Sequence, residues 1–417
     1  MRRFVNLYRD ERLGGRAELF GERDDIMEKY DFNEVVDRKN TYCTQWDYIE
    51  DRFGEADLLP FSISDTEFRV PTPVLTAIQK RVAHGVFGYS RWNHEAFKGS
   101  IIQWYQTRFD ASFNKDWVLY SPTVCYAISV LLRLKSAERD RVVVFSPMYD
   151  AFYNLIRENN RELVESKLLW DNGKYRIDFD QLEKQVENAS ILLLTNPHNP
   201  TGRVFDKEEL TRIIEICERN GVFIISDDIH MDIVYKNAQY TPILSLSENR
   251  MNMCICTSAS KTMNTPGLIG SYLLVPDEAL RVAFLKQLKE RDALSSVSIL
   301  GMYATMAAYN ESADYADEMV AHLEGNMHFV KSFIDEQMPE IKFEIPEGTY
   351  LAWLDVSALG LTKDALQDAL VHVGKVAIMP GETYGGEGFL RLNVACSRSK
   401  LVDGLERMHK AIQTVRR

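Results

Sequence analysis

The stretch "SILLLTNPHNPTGRVFDKEELTRIIEICERNGVFIISDDIH", residues 190–230, contains two apolar runs separated by a loop and a helical pattern. "SILLL" and "VFIIS" are apolar at consecutive positions, so a strand built from either buries both faces. Between them, "DKEELTRIIEICERN" (206–220) spaces its apolar residues as one face of a helix. Strands covered on two sides and joined by helices read as a parallel sheet. Similar runs occur at "WVLYSP" (117–122), "RVVVFSP" (141–147), "MCICTSAS" (253–260) and "GSYLLVP" (270–276). The pattern predicts an α/β fold, with residues 75–310 forming a large domain around a mostly parallel sheet. From residue 311 a long helical stretch precedes "KFEIPEGTYLAWLDVS", "KVAIMPG" and "FLRLNVACS". Residues 311–417 are therefore expected to form a smaller α+β domain. Residues 28–74 show no sheet pattern of their own and are expected to pack against it, and residues 1–27 read as an arm.

The chain has 417 residues, 45% of them hydrophobic and 26% charged, enough for two domains. Its net charge of −12 argues against nucleic acid and anionic membrane as partners. The six cysteines form no CxxC pair, and three lie in strand-like runs, which fits a reducing compartment. The opening "MRRFVNLYRDERLGGRAELFGERDD" is too charged for a secretory signal, and no run reaches the length of a membrane helix. A cytoplasmic location is expected.

Open α/β sheets bind ligands at the carboxyl ends of their strands. Five predicted strand ends here lead into polar or special-backbone residues: Ser121-Pro122-Thr123-Val124, Ser146-Pro147-Met148-Tyr149, "TNPHNPTG", "DDIH" and "SASK". Each has a bland reading. Asp227 and Asp228 point to opposite faces and could cap a helix or join an ion pair. Thr123 could simply cap the helix that follows, and "NPHNPTG" could be a bare turn. Lys261, however, stands among small hydroxyl residues just past a buried strand, where a lysine can lose its proton and act as a nucleophile. An amine, a carboxylate, an asparagine (Asn199), a tyrosine (Tyr149) and a helix start open to an anion together suit pyridoxal phosphate (PLP).

The order "NPxNPTG", "SDxIH", "SxSK", "RLNxA" resembles fold-type I PLP enzymes, the aspartate aminotransferase superfamily. The resemblance narrows on "VVDRKNTYCTQWDYIEDRFGEADLLPFSISDTEF", "HGVFGYSRW", "YDAFY", "SDDIHMD", "SKTMNTPGLIGSY" and "EGTYLAWLD". Together these are similar to MalY/PatB-type cystathionine β-lyases (C–S lyases) over roughly residues 30–415. The resemblance implies that Lys261 holds PLP and moves the substrate α-proton, and that Asp227 pairs with the ring nitrogen. Asn199 bonds the ring oxygen and meets the substrate, His230 stands close by, and Tyr149 stacks on the ring. Ser258, Thr123 and Val124 bind the phosphate, joined by Tyr89 from a second copy, so a homodimer is implied. Arg391 clamps the substrate carboxylate. Members hold cis bonds at the prolines following Ser146 and Asn199.

Three departures stand out. Ile269 occupies the position, eight residues after the lysine, where many aminotransferases carry arginine, as the lyase branch has it. Thr66 replaces the usual methionine of a loop expected near the substrate, and Thr123 stands where many members have glycine. The implied reaction is β-elimination of an L-cysteine conjugate such as cystathionine to thiol, pyruvate and ammonia. The alternatives are an aminotransferase and a PLP-fold binding or regulatory protein. An intact set of Lys261, Asp227 and Arg391 speaks against the last.

Overall fold

Four of the apolar runs become fully buried strands, and the other two, at 141–147 and 190–197, give strands buried but for their first one or two residues. In the computed structural model, which describes residues 30–171, 173–294 and 296–415, the large sheet has seven strands. In chain order they are β1 (Val118–Ser121), β2 (Arg141–Ser146), β3 (Glu162–Lys167), β4 (Ala189–Thr195), β5 (Phe223–Asp227), β6 (Met253–Thr257) and β7 (Ser271–Leu274). They lie side by side as β1-β7-β6-β5-β4-β2-β3. Neighbours from β6 to β3 pair in parallel, whereas β7 is antiparallel to both β1 and β6. Burying each Val, Leu or Ile of these strands contributes about 1.5–3 kcal/mol.

Strand β3 lacked a sequence signal. It forms one edge of the sheet and, unlike the other edge strand β1, keeps partly exposed faces, so "ELVESK" never needed an apolar run.

Local chemistry sets the crossovers. The helix Lys207–Asn220 starts in a capping box: Asp206 accepts from the Glu208 and Glu209 amides at 2.9 and 2.8 Å, and Glu209 accepts from the Asp206 amide at 3.0 Å. It ends at Gly221, whose φ of +66° lets the chain turn straight into β5. Peptide bonds Ser146–Pro147, Asn196–Pro197 and Asn199–Pro200 are cis, which includes both expected positions.

A second, antiparallel sheet is formed by β8 (Leu351–Asp355), β9 (Met379–Pro380) and β10 (Phe389–Asn393), in the order β8-β10-β9. Gly202, at φ +68°, closes the "NPHNPTG" loop against the turn before β8. Its carbonyl accepts from the Glu347 and Gly348 amides at 3.1 and 2.9 Å, and a Cβ there would lie 2.4 Å from Pro346. Upstream, Leu59–Pro60 pairs in parallel with Val376–Ala377. Phe61 packs so closely on Gly404 that a Cβ there would sit 2.3 Å from its ring.

The chain divides into Met1–Asp31, of which only Tyr30 and Asp31 are described, and Phe32–Arg417. The expected arm, residues 1–27, lies outside the described residues. Among the described residues, no helix is long and apolar enough to cross a membrane.

Candidate active site

The carboxyl ends of β1, β2, β4, β5 and β6 open on one cavity of about 170 Å³. Seven of the ten residues singled out in the sequence line it: Thr123, Val124, Tyr149, Asn199, Asp227, His230 and Lys261. Arg391, Ser258 and Tyr89 do not.

Lys261 follows β6 in an irregular turn, and its Nζ donates to the Ser64 carbonyl at 2.5 Å. Burial lowers its pKa from the ordinary lysine value. The Arg391 charge adds to that effect, while Asp65 and Asp227 oppose it. Asp227, which ends β5, and Asp228, which follows it, part company, as strand geometry requires. Asp227 faces the cavity and accepts only a 3.3 Å bond from the Ile229 amide. Asp228 is turned into the core, where the Ser226 and Tyr240 hydroxyls donate to it. Burial, reinforced by Asp228, pushes the Asp227 carboxyl up to about 7. A cation placed against Asp227 would reverse that penalty.

His230 is buried edge-on to Tyr350, with ring centroids 5.4 Å apart, and its Nδ1 has no hydrogen-bond partner. Burial lowers its pKa to about 3, so the imidazole is neutral. Thr123 caps the helix Val124–Lys135, accepting from the Tyr126 amide at 3.0 Å, so its hydroxyl does act as a plain cap. The first residues of that helix still form a wall of the cavity. Ser258 is buried behind that surface. Its Oγ donates to the Gly270 carbonyl at 2.5 Å and accepts from the Ser260 amide at 3.1 Å. Ser260, rather than Ser258, lines the cavity.

Arg391 sits in β10, 3% exposed. Its Nη1 donates to Asn199 Oδ1 at 3.1 Å and Nη2 to the Ser62 carbonyl at 3.0 Å. The guanidinium lies 4.0 Å from the Tyr384 ring centre, and its Nε has no partner. Among the described residues it makes no ion pair with a carboxylate. A buried arginine in that state is a ready receptor for an anion. Tyr89, by contrast, is 99% exposed.

Sequence reasoning passed over Ser64 and Ser260, which both line the cavity. Ser260 lay inside the quoted "SASK". Ser64 contributes a backbone carbonyl, for which a side-chain motif gives no signal. Thr66, expected near the substrate, is wholly buried with an unpartnered Oγ1 and does not line the cavity.

These residues fit a phosphorylated pyridine aldehyde. The cavity joins an amine, a carboxylate held short of a counter-charge, an aromatic ring and a helix start. Ser64 Oγ and His230 Nδ1 are buried there without partners.

The profile of the aminotransferase class I and II family matches residues 56–408. Protein MalY of Escherichia coli is 42% identical, over 93% of this chain and 100% of its own length. Cystathionine beta-lyase PatB of Bacillus subtilis is 36% identical, over 91% and 99%. The crystal structure of cystalysin from Treponema denticola, which contains a pyridoxal 5'-phosphate cofactor, superposes with a TM-score of 0.88. It is 31% identical and covers 93% of this chain and 99% of its own. The chain thus belongs to the aminotransferase class I and II family and, within it, to the MalY/PatB group of PLP-dependent C–S lyases.

Proposed function

We propose that this protein catalyses β-elimination of an L-cysteine S-conjugate such as L-cystathionine, releasing a thiol, pyruvate and ammonia. The observation that carries the reading is Arg391, which among the described residues is a buried guanidinium without a carboxylate partner, beside a cavity whose one lining cation among those residues is Lys261. One clamp for one α-carboxylate suits a cysteine conjugate. A transaminase for dicarboxylic acids needs a second cation for the distal carboxylate, and the described lining supplies none.

Bound PLP supplies an electron-poor ring that takes up the electron pair left when the α-C–H bond breaks. Lys261 would hold the cofactor and, when free of it, accept the α-proton, a task that suits a lysine of lowered pKa. Asp227 would keep a proton on the ring nitrogen by its charge. Asn199 would donate to the ring oxygen through its amide nitrogen, since its Oδ1 already accepts from Arg391. Tyr149 would stack on the ring and His230 stand close by. Thr123 and Val124 would border the phosphate, Val124 through its backbone amide, with Ser258 standing behind the cavity wall rather than in it.

A homodimer completes the reading, with Tyr89 of the partner subunit reaching the phosphate. It is supported by the exposure of Tyr89 at 99%, together with Val86 at 62% and Phe87 at 55%, a run of apolar surface awaiting cover. We further propose a large domain over 75–310 and a smaller one over 311–417 with 28–74 packed on it, supported by how the two sheets partition between those ranges. A cytoplasmic location is supported by six free cysteines.

The deciding experiment offers L-cystathionine with and without a 2-oxo acid and follows pyruvate and thiol. Pyruvate and thiol without the oxo acid support the lyase. Product formed only with the oxo acid, as its matching amino acid, replaces it with an aminotransferase.

A further inference from the structure

Residues 61–70 form a strap without regular secondary structure, yet most of its carbonyls are gripped by side chains. Ser62 O accepts from Arg391 at 3.0 Å, and Asn393 Nδ2 donates to Ile63 O and Asp65 O at 2.6 and 2.7 Å. Arg38 donates to Thr66 O at 3.2 Å. Ser64 O receives both Lys261 Nζ at 2.5 Å and the Tyr350 hydroxyl at 2.9 Å.

Asn264 makes three bonds to the same strap. Its Nδ2 donates to Thr66 O and Phe68 O at 3.0 and 2.8 Å, and its Oδ1 accepts from the Thr66 amide at 3.4 Å. It stands three residues after Lys261, on the same turn, with φ +52°. It therefore ties the backbone that carries the amine to the backbone that receives it. A lysine side chain has four rotatable bonds, so a base at its tip is useful only when something fixes where that tip lies.

We propose that Asn264 is a positioning residue for the eliminating reaction: by clamping Thr66 and Phe68 it holds the Ser64 carbonyl against the Lys261 amine. This rests on the lyase reading for its consequence in turnover, but the clamp itself can be tested without cofactor or substrate. The titratable and charged groups around the amine are Asp65 on the strap, Asp227 and His230 after β5, Arg391 on β10 and Cys125 in the helix after β1. Two strap groups, the Ser64 carbonyl and Asp65, favour the protonated amine. Freeing Thr66 and Phe68 slackens the stretch that carries both and weakens their hold on the amine, even with Arg391 and Asn393 still gripping residues 62, 63 and 65. General loosening instead admits water and moves the amine back towards ordinary lysine. The two causes have opposite signs.

Asn264→Gly removes the side chain while keeping a residue at ease with positive φ. The full chain, freed of cofactor, is reductively methylated with formaldehyde and cyanoborohydride across pH, and modification of Lys261 is read by peptide mass spectrometry. The midpoint should fall by about half a pH unit or more in Asn264→Gly. With cofactor restored, kcat should fall about tenfold while KM stays near that of the wild type, because one charge-assisted bond is lost. Tyr350→Phe supplies an independent arm. It removes the donor that competes for Ser64 O, so the midpoint should rise. An unchanged or raised midpoint in Asn264→Gly, or an unchanged or lowered one in Tyr350→Phe, overturns the proposal. A wild type that eliminates nothing would instead sink the lyase reading and leave the labelling result standing.

Discussion

Lys261 stands just past a strand of the large sheet, in the lining of a cavity that five strand ends share, whereas Arg391 is embedded within the small antiparallel sheet. Both are cations taken out of water. The lysine can answer burial by giving up its proton, and its pKa is lowered accordingly. An arginine keeps its charge in practice, and among the described residues that charge meets only a carbonyl, an amide oxygen and a tyrosine ring. The large sheet thus offers a group fit to trade protons. The small sheet offers a fixed charge fit to hold an anion.

The contrast breaks most visibly at the lysine. Lys261→Ala should lower turnover by about a thousandfold or more, since it removes the proposed base and the anchor of the cofactor together. Borohydride treatment of the wild type should fix PLP on Lys261, and peptide mapping checks it. Label on another lysine would end the assignment.

Removing the fixed charge should cost less and act elsewhere. Arg391→Ala should lower kcat/KM about ten- to a hundredfold, mainly through KM, for every amino-acid substrate. Arg391→Lys should recover little of it, because an ammonium cannot reproduce the planar fork. Steady-state kinetics on L-cystathionine separates the two parameters. A loss confined to kcat would place Arg391 on the wrong side of the comparison.

Asp227, a buried acid beside these cations, responds to pH. Its folded carboxyl is raised to about 7 in the cofactor-free chain, above the unfolded value of 3.8. A raised carboxyl stabilises the fold below about pH 4, and that contribution is lost as pH climbs through 7. A cationic ring nitrogen beside it would cancel the loss. The extra stability that PLP confers should therefore grow as pH rises from about 5 to 7, by up to about 1.4 kcal/mol per unit, and level off above it. Thermal melts with and without PLP measure it, and Asp227→Asn should flatten the trend. A gap that shrinks with rising pH would contradict the pairing.

The smallest effect concerns the exposed tyrosine. If Tyr89 of the partner subunit bonds the phosphate, Tyr89→Phe should weaken PLP retention about fivefold, the worth of one hydrogen bond near 1 kcal/mol. Equilibrium dialysis reads the change, and sedimentation should find a dimer. A fully active monomer would remove Tyr89 from the site.

The apolar runs alone determined six of the seven strands of the large sheet, because a strand buried on both faces must be apolar throughout. Their polar exits located the cavity, since an open α/β sheet gathers its ligands at those ends. The edge strand Glu162–Lys167 was illegible because its faces are partly exposed, which relaxes that demand. Contacts between residues far apart in the chain came only with folding. "SASK" holds two serines in equivalent-looking positions, and packing alone sends Ser258 inward to Gly270 and Ser260 to the cavity. The partner of Lys261 is a carbonyl 197 residues earlier, invisible to any reading of side chains. The same strap binds Arg391, Asn393 and Asn264, which meet only once the chain has folded. Periodicity reports burial, which each residue carries in its own chemistry; the direction of a hydrogen bond depends on which backbone the fold brings beside it.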